Sequence, residues 1–315
     1  MSHALVDRIR QGDRRALARV LSYLADDHPE KETLLEALYP FSDRARIVGF
    51  TGAPGAGKST LVDQVIKHLR SLDQTVGVLA VDPSSPFTGG SLLGDRVRMA
   101  HHSGDPGVFI RSVSNRGYQG GMASATREML MAMSAFGCDT ILLETVGVGQ
   151  AELDVLHVAD TVALVLTPGA GDAVQASKAG IMEIGDIFVL NKADDPGAAS
   201  MFRALTLMVH EKTLWRNGWQ PPIVKTIATV GEGVEEVWQA VLRHDEHMKQ
   251  RPDVEQRAQV RRRSHILALL EQGLKARVLQ RMHDDETWRV LIEDQTDVSP
   301  TQVAARLLAD VWRRG

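Results

Sequence analysis

Cysteine is nearly absent, with Cys138 standing alone in a chain of 315 residues. No disulfide can close within such a chain and no cysteine cluster can hold a metal, so the expected setting is intracellular and cytoplasmic. A basic surplus is missing as well. The formal net charge is −4, the wrong sign for a large nucleic-acid footprint. No apolar run approaches the roughly 18 residues of a membrane span, and the opening MSHALVDRIRQGDRR carries no apolar signal core. Internal repeats and low-complexity segments are lacking too. What remains, 43% hydrophobic and 24% charged, is the composition of a folded chain. Its length suits one large α/β domain with helical extensions, or two modest domains.

Residues 1–45 read as an N-terminal helical extension. Leu5 and Ile9 share a face, Gly12 interrupts, and Asp13 is placed to cap a second helix with Leu17, Val20, Leu21 and Leu24 at helical spacing. From Arg46 the pattern changes. The short runs IVGF, VGVLAV, VFI, TILLE, TVALVL, IFVL and PPIVKT alternate with helical segments. Near-continuous apolar runs separated by helices predict a mostly parallel sheet buried on both faces, over residues 46–250. Residues 251–315 turn helical again. Ile266, Leu270, Leu274, Val278 and Met282 make one stripe, and Ser299-Pro300-Thr301-Gln302 opens a final helix carrying Val303, Leu307, Val311 and Trp312.

GAPGAGKST, which comprises Gly52, Ala53, Pro54, Gly55, Ala56, Gly57, Lys58, Ser59 and Thr60, fits G-x-x-x-x-G-K-[ST] between a strand and a helix. Glycines let backbone N–H groups turn inward around phosphate oxygens, and the helix start adds partial positive charge. Lys58 is placed for the β- and γ-phosphates and Ser59 for Mg²⁺. NKAD follows the strand IFVL. Asp194 at that strand end can accept from the N1–H and exocyclic amine of guanine, where adenine would present an acceptor. Lys192 lays its stem along the base and Asn191 braces the loop. Ala228, Thr229 and Val230 lie where a backbone amide can reach guanine O6.

Three carboxylates compete for the metal and the attacking water. Asp82 ends the strand VGVLAV and opens the Pro-, Ser- and Gly-rich DPSSPFTGGSLLGDR, which contains Asp95; Glu144 ends TILLE. Mg²⁺ takes few protein carboxylates, so not all three bind it directly. ETVGVGQ has Gly147 three residues after its carboxylate, as a terminal-phosphate sensor would. Val148 then stands where a fast switch holds a water-orienting glutamine, and Gln150 has a different spacing. Arg96, Arg98, Arg111 and Arg116 are candidate charge stabilisers, though most loop arginines pair with surface carboxylates. The eleven histidines show no metal-ligand spacing, and His101-His102 reads as a solvated helix end.

These motifs resemble the MeaB/ArgK-type GTPases, chaperones associated with methylmalonyl-CoA mutase. The resemblance rests on GAPGAGKST, VDPSSPFTGGSLLGDR, ETVGVGQAE, TPGAGDAVQASKAG and NKAD, across residues 47–230. It implies a P-loop NTPase fold of the class that includes signal-recognition-particle GTPases. It also implies GTP/GDP and Mg²⁺ as ligands, and GTP hydrolysis that gates adenosylcobalamin delivery to, and protection of, the mutase or a related acyl-CoA mutase. Carried onto this chain, Lys58, Asp82 and Glu144 are the catalytic group. Ser59, Asp82, Asp95 and Glu144 are the metal set. Gly147 and Gln150 mark one switch, and Asp172 and Lys178 are the charged members of another. A homodimer joined through the C-terminal helices is expected, with no nucleic-acid or membrane partner. Three other classes compete: a kinase using the same nucleotide site, a metallocentre-insertion GTPase, and a scaffold holding nucleotide structurally. The absence of a Cys/His cluster weighs against the second.

Overall fold

The computed structural model describes residues 2–26, 28–82, 100–102, 104–114, 122–145, 158–169, 181–212, 215–293 and 299–313. Each of the seven apolar runs is a strand: β1 Arg46–Thr51, β2 Val76–Asp82, β3 Val108–Ser114, β4 Thr140–Thr145, β5 Thr161–Leu166, β6 Ile187–Asn191 and β7 Ile223–Thr226. They form one sheet in the order β3-β2-β4-β1-β5-β6-β7. Every strand pairing is parallel. β1 is therefore central, and the chain leaves it on one side for β2 and later fills the other side with β5. Such a change of direction opens a crevice at the carboxyl ends of the strands.

Side-chain alternation divides each run between two layers. On one face, Leu79 and Val81 of β2 and Ile141 and Leu143 of β4 are buried in one cluster. They pack with α1 (Ser2–Arg10), α2 (Arg14–Ala25), α3 (Lys31–Leu38) and α5 (Met122–Phe136), through Ile9, Leu17, Leu21, Leu34, Met129 and Met133 among others. On the other face, Val78, Leu142, Val48, Phe50 and Val165 meet α4 (Lys58–Ser71) and α7 (Val234–Lys249), whose Trp238 is buried. Toward β6, Leu164, Phe188 and Leu190 pack on α6 (Ala198–Glu211).

The N-terminal helices follow the anticipated punctuation. Gly12 takes φ +82°, and Asp13 caps α2 by accepting from the Arg15 and Ala16 amides at 2.9 and 3.1 Å. An ion pair from half-buried Lys31 to buried Glu128, at 3.0 Å, ties α3 to α5. At the other end come α8 (Val254–Asp284), α9 (Glu286–Glu293) and α10 (Pro300–Arg313). Ser299 caps α10, its Oγ accepting from the Gln302 amide at 3.3 Å. Trp288 is buried and donates from Nε1 to Asp310 Oδ2 at 3.1 Å, joining α9 to α10. Within the anticipated stripe on α8, Ile266 and Leu270 are exposed, while Leu274, Val278 and Met282 are half-buried. No described helix is long and apolar enough to cross a membrane.

Candidate functional site

β1 runs out at Thr51 into the glycine-rich turn, and α4 begins at Lys58. Two glycines are required by geometry. At Gly52, with φ +145°, a Cβ would lie 2.1 Å from the Val165 carbonyl oxygen of β5; at Gly57, with φ +88°, it would lie 2.3 Å from Asn191 Nδ2. The turn thus packs against β5 on one side and the β6 loop on the other. Ala56 is buried, Ala53 and Thr60 are half-buried, and Pro54 and Gly55 face solvent. The Lys58 ammonium is buried and folds back on the turn, donating to the Gly52 and Ala53 carbonyls at 2.9 and 3.0 Å.

Glu144 is wholly buried at the end of β4. In register it stands level with Phe50 of β1 and Ala80 of β2. Its Oε1 accepts from Ser59 Oγ at 2.6 Å. Neighbouring ligands of an octahedral Mg²⁺ lie roughly 3 Å apart for metal–oxygen distances of about 2.1 Å. The hydroxyl and carboxylate are thus already near the spacing of two adjacent ligands. Asp82 ends β2, paired with Ser114 of β3. The Ser59 hydroxyl and the Glu144 carboxylate, at the mouth of a phosphate-type turn, are a donor pair that suits a hard divalent cation.

Asn191 joins three pieces of chain. Buried at the end of β6, it donates from Nδ2 to the Ala56 carbonyl at 2.8 Å. Its Oδ1 accepts from Thr226 Oγ1 and from the Ala228 amide, each at 3.1 Å. Lys192 then takes φ +56°, a left-handed residue that redirects the chain. The Ala193 amide donates to the Thr226 carbonyl at 3.0 Å. Lys192 and Asp194 are exposed beyond this anchor, as are Thr229 and Val230, while Ala228 is buried. Because the Ala228 amide is committed to Asn191, a base oxygen approaching that turn competes with the carboxamide.

The structure therefore gathers the glycine-rich turn, Ser59, Glu144 and the Asn191 loop at one sheet edge. Asp95, Gly147, Gln150, Asp172 and Lys178 lie outside the described residues, as do Val148, Arg96, Arg98 and Arg116. Two expectations are corrected. Arg111 stands within β3, level with Leu79, and its guanidinium donates to Ser22 Oγ of α2 at 3.3 Å; it serves the helical cover of the sheet, away from the phosphate turn. The His101-His102 pair is a solvated helix end only at His101, which is exposed. It sits in a short 3₁₀ turn, Ala100–His102, with His102 buried and both rings on Asp63. Sequence reasoning also missed Thr226, which gave no signal beyond being the last residue of a strand.

A parallel sheet whose central strand feeds this turn, with an Asn-Lys-x-Asp loop tied back onto it, defines a P-loop GTPase. The chain belongs to the family described as "Methylmalonyl Co-A mutase-associated GTPase MeaB", which matches residues 14–283. It is 43% identical over 314 residues to a Pyrococcus abyssi protein whose name carries the word GTPase, covering 99% of this chain and 97% of that one. It is 36% identical over 246 residues to GTPase ArgK of Escherichia coli, covering 75% and 74%. Against the mitochondrial methylmalonic aciduria type A homolog of Mus musculus it is 35% identical over 262 residues, covering 76% and 61%. Among solved structures it is similar to the LAO/AO transport system kinase, with a TM-score of 0.70, 25% identity, and coverage of 99% of this chain and 97% of that one.

Proposed function

We propose that this chain is a slow, Mg²⁺-dependent GTPase that acts as a chaperone of an adenosylcobalamin-dependent acyl-CoA mutase, methylmalonyl-CoA mutase first among them. In this reading GTP hydrolysis gates delivery of the cobalamin cofactor and protects the mutase. The family description supports the partner. The observation that carries the chemistry is the convergence of Ser59 and Glu144 at 2.6 Å beside a turn that Asn191 ties to the NKAD loop.

Each residue then has a task. Lys58 leaves the Gly52 and Ala53 carbonyls for the β- and γ-phosphate oxygens. Backbone amides from Gly52 to Thr60 cradle the phosphates, helped by the start of α4. Ser59, with one or two of Asp82, Asp95 and Glu144, holds Mg²⁺, which neutralises charge between the phosphates. Asp82 or Glu144 orients the water. Asp194 reads guanine, Lys192 covers the base, and Ala228–Val230 closes its edge. Gly147, Gln150, Asp172 and Lys178 serve the switches. With Val148 in place of a water-holding glutamine, turnover is slow until a partner orders those segments; completing such a site is worth roughly 10³–10⁵ in rate. We assign residues 46–250 to the GTPase domain, 1–45 to a helical extension, and 251–315 to a dimerisation arm of a cytoplasmic homodimer.

GTP turnover measured with and without the mutase tests this. Stimulation is expected, and unchanged turnover across a wide range of mutase concentration would count against it. A kinase reading draws on the name of the similar solved structure. Incubation with γ-labelled GTP separates the two: inorganic phosphate as the sole labelled product supports hydrolysis, and label on a protein or small molecule supports transfer.

A further inference from the structure

The Asp63, His101 and His102 cluster takes no part in the chemistry above. Asp63 lies on α4, four residues past Ser59 and about 6 Å further along the helix axis. Its side chain is nearly buried. Oδ1 is 2.8 Å from Nε2 of His101 and 2.8 Å from Nε2 of His102, while Oδ2 receives the Lys67 ammonium at 2.8 Å. One carboxylate oxygen and two imidazole nitrogens thus converge on a single point, all within 4.8 Å of one another. The two rings are 4.2 Å apart, centre to centre, and tilted by 41°.

We propose that Asp63, His101 and His102 form a binding site for one borderline transition-metal cation of the Zn²⁺ or Co²⁺ kind, with solvent in the fourth position. The donor types select the metal: two imidazoles and a carboxylate suit Zn²⁺, Co²⁺ or Ni²⁺, whereas Mg²⁺ and Ca²⁺ prefer oxygen throughout. The spacing agrees. Ligands at about 2.0–2.1 Å from a tetrahedral ion stand roughly 3.3 Å from one another, so the 2.8 Å contacts need open by only half an ångström or so. The surroundings agree as well. Asp63 and His102 are walled in, and half-exposed His101 forms the rim through which an ion enters. Lys67 holds the second carboxylate oxygen, which leaves Oδ1 as a single-atom ligand of fixed direction. Its charge also weakens cation binding, so the site is of moderate affinity. His101 and His102 follow the long stretch that leaves β2 at Asp82. An ion here would pin the end of that stretch to the helix that opens with Lys58.

The test uses the full-length chain freed of nucleotide and Mg²⁺, with Co²⁺ as the probe. One Co²⁺ per chain by equilibrium dialysis, with the visible bands of a four-coordinate ion, is expected, and Zn²⁺ should abolish the bands. His101→Ala changes a rim residue and should leave the fold intact by circular dichroism while weakening Co²⁺ binding at least tenfold. Lys67→Met should tighten it. Absence of bands, or equal binding by the parent and His101→Ala chains, overturns the proposal and leaves a hydrogen-bonded latch on Asp63. Because no nucleotide is present, the result is independent of the GTPase chemistry.

Discussion

Replacing Asn191 with alanine removes the side chain that joins three loops, and its cost can be worked from the contacts. Three hydrogen bonds vanish: to the Ala56 carbonyl, from Thr226 Oγ1 and from the Ala228 amide. A hydrogen bond contributes about 0.5–1.5 kcal/mol net, and a buried polar group left without a partner costs about 1–3 kcal/mol. Ala56 and Ala228 are both buried, so the carbonyl and amide given up at those residues gain little from water. Counting the thermodynamic loss once, the change destabilises by roughly 3–5 kcal/mol. At about 2–4 °C per kcal/mol for a domain of this size, the melting temperature falls by roughly 10 °C. Asn191→Asp is expected to do no better. It keeps the acceptor but turns a second oxygen toward the Ala56 carbonyl, where the amide nitrogen had donated. Thermal melting of nucleotide-free protein followed by circular dichroism gives the stability, and displacement of a fluorescent GDP analogue gives the affinity. Affinity should drop more than about tenfold, since one clamp orders both the phosphate turn and the base loop. Melting within about 1 °C of the parent would refute the assignment of Asn191 as the clamp.

Other changes probe the frame around the site. Lys31→Ala removes the ammonium 3.0 Å from Glu128, whose side chain is 2% exposed, and should cost about 1.5–3 kcal/mol with faster amide exchange in α3; adding Glu128→Gln should recover part of the loss. Cys138 is pushed up to about 12 by burial, reinforced by the Asp139 charge, so its thiol should resist aromatic disulfide reagents at pH 8 until the chain is unfolded. Asp245 is raised by burial but lowered further by the Lys249 and Arg46 hydrogen bonds, for a net downward shift. A depressed carboxylate contributes stability that is present above its unfolded value and lost as pH falls through the folded one. Asp245→Asn should therefore lower stability most at neutral pH, with the gap to the parent closing as pH falls below about 4 so that the acid limb is flatter, and urea unfolding at several pH values is the measure.

The elements governed by local pattern were legible in the sequence. Seven apolar runs become seven strands because each is flanked by helical periodicity and by turn residues, and the central strand is the one that carries the glycine-rich turn. Asp13 and Ser299 cap the helices they precede for the same local reason. Contacts between distant segments were not legible. Nothing near Asn191 announces that its carboxamide oxygen meets Thr226 and Ala228, more than thirty positions away. Asp63 reads as one polar residue on an amphipathic helix; only the fold brings it beneath two adjacent histidines. Arg111 was misplaced because a strand residue near the sheet edge can point either to the loops or to a covering helix, and periodicity does not say which.

The cover on the rear of the sheet has its own consequence. Leu17, Leu21, Leu24 and Leu38 share one continuous apolar interior with Leu79, Ile141 and Leu143, and Leu143 immediately precedes Glu144. A protein trimmed to start at Arg46 would present the part of that interior that α5 does not cover to water as an oily surface along β2, β4 and α5. Such a fragment should clump at concentrations where the whole chain stays dispersed, and the strand that carries its Glu144 would be backed on that face by α5 alone.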